Sequence, residues 1–104
     1  VLLRHDIDYS LDWALEMAKI ENDIDIRSTY FFLISSNMYN LLSDNSRSIV
    51  NEIKNLGHKI SLHFDPRPYK EYVEIGVDFE INTFNKLFNE KIDIFSIHRP
   101  PKKF

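Results

Sequence analysis

The sequence predicts an α/β fold built from parallel strand–helix units, on three observations. Four short apolar runs, Val1–Arg4, Ser28–Ile34, Lys59–His63 and Ile92–Ile97, start about 30 residues apart, the length of a strand–helix–strand unit. Three helical patterns fill the intervals between them. The runs are mostly apolar at successive positions, as strands buried on both faces are. The resulting order, β-α-β-α-β-α-β, implies a parallel sheet with right-handed crossovers. Such a sheet is either open or half of a β/α barrel, and local pattern does not separate the two.

Each helix carries its own signals. The first spans about Leu11 to Asn22, where Leu11, Ala14, Leu15 and Ala18 recur at helical spacing and Ser10 can cap the start. Trp13, Met17 and Ile20 are read as widening its apolar face. The second spans about Asp44 to Leu56, with Ile49, Val50, Ile53 and Leu56 on one stripe, Ser43 as cap, and Gly57 where a left-handed C-terminal turn is expected. The third lies within Tyr69 to Asn89, with Val77, Ile81, Phe84 and Phe88 on one face. Gly76 weakens the pattern near its start. Trp13, Met17 and the phenylalanines of the third helix are assigned to the core.

Composition narrows the function classes. The 104 residues are 43% hydrophobic and 28% charged, which fits a globular domain. A net charge of −3 argues against a nucleic-acid partner, which needs clustered Lys and Arg. No apolar run approaches membrane-spanning length. With no cysteine, disulfides and thiolate metal sites are excluded, while the compartment stays open. The chain opens on Val1-Leu2-Leu3 with neither an initiator Met nor a signal-peptide pattern. It is read as the N-terminal portion of one catalytic domain.

In either architecture, sites form at the C-terminal ends of parallel strands. The ionisable residues gather there. The first strand runs into Arg4-His5-Asp6-Ile7-Asp8, the third into His63-Phe64-Asp65, and the fourth into His98-Arg99-Pro100-Pro101. Asp6 and Asp8, two residues apart, share one side of an extended segment. Two close carboxylates repel unless a cation or proton lies between them. A divalent metal resolves this with one carboxylate as ligand and the other as base; the alternative is a polar loop in which Asp8 helps cap the next helix. His63 is a metal-ligand type facing the same mouth. Asp65 can join that site or cap the turn from Pro66 to Pro68. Arg99, stiffened by two prolines, can hold an Asp or an anionic substrate group. His58, at the opposite edge, is assigned a structural role.

Four segments together, LRHDID, STYFFL, GHKISLHFD and IHRPP, resemble the polysaccharide deacetylase (NodB-homology) family in order and spacing over essentially the whole chain. The resemblance implies about half of a distorted β/α barrel, a divalent metal ion that is often Zn, and hydrolysis of N-acetyl groups from an amino sugar or polysaccharide. Carried over by residue, it makes Asp6 the base that activates the attacking water, Asp8 and His63 metal ligands, and Arg99 the tether of the base. The family's motifs have adjacent aspartates, a second His four residues after the first, and Tyr after the Pro of the third motif. Here Ile7 separates the aspartates, Arg67 stands at the second His position, and Pro101 replaces the Tyr. Asp65 or His98 therefore has to complete the metal set. The family's general-acid His falls beyond Phe104, so residues 1–104 alone are expected to be inactive. Two other readings compete. Asp6-Ile7-Asp8-Tyr9-Ser10-Leu11 is similar to the nucleophile loop of haloacid-dehalogenase-type phosphatases, and a degenerate domain could bind a glycan without turning it over.

Overall fold

The computed structural model describes residues 3–98. Four parallel strands, β1 (Leu3–Ile7), β2 (Ser28–Leu33), β3 (Lys59–Phe64) and β4 (Phe95–Ile97), pair in chain order and form a curled half-barrel. Between them run α1 (Leu11–Asp23), α2 (Asp44–Asn55) and α3 (Val73–Phe88), the last preceded by a 3-10 segment, Arg67–Tyr72. Consecutive strand order with right-handed crossovers puts every helix on one face of the sheet.

Strand alternation therefore divides the sequence into two faces. Ile7, Tyr30, Phe32, Ile60, Leu62 and Phe64 point to the helices and pack with Leu11, Ala14, Ala18, Val50, Ile53, Phe84 and Phe88. The concave face presents Arg4, Asp6, Phe31, Ser61, His63 and Ser96. In the register that builds it, Asp6 pairs with Phe31, Phe31 with Ser61, and His63 with Ser96.

The helix ends follow their sequence signals. Ser10 accepts from the Trp13 amide at 3.1 Å, Ser43 accepts from the Ser46 amide at 3.2 Å, and Gly57 adopts φ +99° after α2. Helix α3 runs through Gly76, whose missing side chain has a purpose. A Cβ there would meet the Tyr69 ring at 2.5 Å, so glycine lets the 3-10 segment fold back onto the helix.

Three apolar residues expected to pack are exposed instead. Trp13 is 52% exposed and Ile20 is 56% exposed, because the stripe that meets the sheet centres on Ala14 and Ala18. Ile20 lies about 200° past Ala18 around the helix, on the far side. In α3, Phe84 and Phe88 are buried as expected, but Phe79 is exposed, and the fully buried Glu80 takes an interior position beside them. The first strand also runs further than its apolar run, to Ile7, so Asp6 belongs to the sheet and only Asp8 follows it.

Candidate metal centre

The concave face carries its polar cluster where strand ends converge. Asp8 leaves β1, His63 is the fifth residue of β3, and His98 follows β4, held by its amide donating to the Phe64 carbonyl at 2.7 Å. Tyr39 fixes the adjoining strand ends. Its hydroxyl accepts from the Leu33 amide at 2.8 Å and donates to the Ile7 carbonyl at 2.5 Å, immediately before Asp8.

Three ligand atoms meet here. His63 Nε2 lies 3.1 Å from Asp8 Oδ1 and 3.3 Å from His98 Nδ1, and His98 Nδ1 lies 3.3 Å from Asp8 Oδ1. A tetrahedral ion with bonds of about 2.0–2.1 Å spaces its ligand atoms by about 3.3 Å, so the triangle matches one face of such a site. Two further observations fit a cation. Asp8 Oδ1 is buried and has no hydrogen-bond partner. Burial pushes the His63 pKa down, against the pull of Asp6 and Asp8, which favours the neutral imidazole that ligates metals. Asp8, His63 and His98 can hold a metal ion.

Asp6 stands beside this triangle. Both of its carboxylate oxygens receive Arg4, at 2.9 and 3.1 Å, and Oδ1 also accepts from the Ser96 hydroxyl at 3.2 Å. The same Ser96 oxygen lies 2.6 Å from His63 Nδ1. Asp6 keeps 35% side-chain exposure. Asp8 and His98 line a cleft of about 570 Å³ whose walls also include Tyr9, Ser35, Asn37, Asp65 and Arg67. A second cleft of about 540 Å³, between Leu3, Lys59 and Lys91 at the other end of the strands, contains none of the three ligand residues.

The structure thus brings together Asp6, Asp8, His63 and His98. Asp65 lines the same cleft but is already engaged: Arg67 grips both its oxygens, with Nη2 at 2.7 Å, and donates its backbone amide to Oδ1 at 3.0 Å. That guanidinium holds the Asp65 carboxyl below its ordinary value of 3.8. Of the two candidates for completing the ligand set, His98 is the one within reach. Arg99 lies outside the described residues, and among the described residues Arg4 is the arginine that grips Asp6. Sequence reasoning assigns no role to Arg4, although it lies within LRHDID, or to Ser96. The available signal was alternation, which puts Arg4 on the side of Asp6 and Ser96 on the side of His98.

His58 is structural, as expected. Its Nδ1 accepts from the Ser28 amide at 3.1 Å, and its Nε2 donates to the Ala18 carbonyl at 2.9 Å. No protein-family model matches the chain, and no curated protein matches it.

Proposed function

We propose that this chain carries the metal-binding half of a zinc-dependent hydrolase that removes N-acetyl groups from an amino sugar or polysaccharide. The observation that carries the reading is the Asp8–His63–His98 triangle with its unpartnered carboxylate oxygen, set next to the part-exposed carboxylate of Asp6. Asp8, His63 and His98 would hold the ion. When bound, it polarises an amide carbonyl and makes water a stronger nucleophile at neutral pH. Asp6 is the base that takes the proton of the attacking water. Arg4 and Ser96 orient its carboxylate. A phosphatase with Asp6 as nucleophile would leave the paired histidines without a task.

The test has two parts. Full-length protein purified without chelator is expected to contain about one divalent ion per chain and to release acetate from N-acetylglucosamine oligomers. Protein that cannot be loaded with zinc removes the mechanism. A trapped aspartyl-phosphate at Asp6 decides for the phosphatase. Metal uptake with glycan binding but no acetate release points to a non-catalytic domain.

A further inference from the structure

We propose that Ser96 is a positioning residue for the metal centre, its hydroxyl fixing His63 as the tautomer that turns a lone pair toward the ion. The proposal rests on the metal reading above. A hydroxyl has one hydrogen and two lone pairs. The Ser96 oxygen lies 3.2 Å from Asp6 Oδ1 and 2.6 Å from His63 Nδ1. A carboxylate oxygen only accepts, so the Ser96 hydrogen goes to Asp6. The Ser96 oxygen must then accept from His63, which places the ring proton on Nδ1. His63 Nε2 is left with its lone pair, and Nε2 is the atom of the triangle with Asp8 and His98.

The fold explains why serine serves here. Ser96 is the register partner of His63 on the neighbouring strand and is 6% exposed, so its hydroxyl has no competing solvent. Asp6 is three strands away, about 14 Å in a flat sheet. The curl of the half-barrel closes that gap, and one hydroxyl reaches both groups. Partners in this position usually set ligand orientation and basicity, and their loss costs about 10–100-fold in metal affinity.

The test is cobalt titration of chelator-stripped, full-length protein, followed by absorption, together with ¹⁵N spectra of the His63 ring in the metal-free state. Wild type is expected to show the proton on Nδ1. Ser96→Ala is expected to bind cobalt about 10–100-fold more weakly and to shift the proton toward Nε2. Ser96→Thr, which keeps the hydroxyl, is expected to restore both. A hydroxyl that merely clasps β1 to β4 would alter stability without moving the tautomer. If wild type binds cobalt and Ser96→Ala binds it equally well, the Ser96 role alone falls. If wild type binds no cobalt, the metal reading falls and takes this inference with it. A wild-type His63 protonated on Nε2 overturns the proposal without any variant.

Discussion

Replacing Asp8 by Asn should stabilise the metal-free protein while destroying its response to metal. In the metal-free state Asp8 Oδ1 is buried without a hydrogen-bond partner, 3.1 Å from His63 Nε2 and 3.3 Å from His98 Nδ1. A buried unsatisfied polar group costs about 1–3 kcal/mol. The Asp8 side chain keeps 30% exposure, which places it at the lower end, about 1 kcal/mol. Asp8→Asn puts an amide N–H₂ where the orphaned oxygen stood, and that group can donate to the ring nitrogens facing it. The melting temperature in chelator is then expected to rise by about 2–8 °C, depending on the size of the cooperative unit. Zinc reverses the order. An ion present at about 1,000 times its dissociation constant stabilises the native state by about 4 kcal/mol, and only the wild type gains this in full. The assay is thermal unfolding followed by circular dichroism, with chelator and with excess zinc. A variant that melts below wild type in chelator refutes the argument from the unsatisfied oxygen. Equal zinc-induced shifts in the two proteins refute Asp8 as a ligand.

Two other outcomes are expected. Asp6→Asn lowers acetate release by at least about 100-fold, the usual scale for losing a general base, while cobalt titration shows unchanged affinity; loss of metal with retained activity would show the roles of Asp6 and Asp8 to be exchanged. Glu21→Gln costs about 2 kcal/mol in urea denaturation at neutral pH, because charge-assisted hydrogen bonds are lost. Burial alone would raise the Glu21 pKa, but hydrogen bonds from Tyr30, His5 and Ser28 outweigh it and hold the group below its ordinary 4.5. A depressed carboxyl contributes stability above the unfolded value and loses it as pH falls through the folded one. Wild type should therefore lose stability below pH 4.5 in a way that Glu21→Gln does not, and parallel pH profiles would contradict this.

The fold was legible because each unit announces itself locally. The apolar runs lie about 30 residues apart, Ser10 and Ser43 act as caps, and Gly57 closes α2 in a left-handed conformation. The half-barrel was less so, since curl is a property of the assembled sheet and no single strand encodes it. The site was legible as residue types at strand ends. Its pairing was not. Asp65 and His98 are alternatives by position alone; Arg67, two residues from Asp65, separates them by holding that carboxylate. Ser96 was invisible for a similar reason: its significance depends on reaching Asp6 across the curl, a contact 90 residues apart in sequence.

Two carboxylate–histidine clusters on opposite faces of one sheet differ in how completely their hydrogen bonds close. On the helix-facing side, Glu21 is buried and its oxygens take Tyr30 at 2.5 Å, His5 at 2.8 Å and Ser28 at 2.9 Å. His58 closes the group with a bond from each ring nitrogen. Every donor there has an acceptor, and the network ties α1 to β1, to β2 and to His58 just before β3; adding a ligand could only break bonds. On the concave side the inventory does not close. Asp6 is satisfied by Arg4 and Ser96, but Asp8 Oδ1 has no donor, although two histidine nitrogens lie within 3.3 Å of it. An unpaired buried oxygen is costly, and an amide in place of the Asp8 carboxylate would relieve it. Glu80 Oε1 is also buried without a partner, but among the described residues only the Asp8 oxygen sits in a group with two histidine nitrogens that could hold a metal ion. The same deficit sets the sign of the Asp8→Asn prediction.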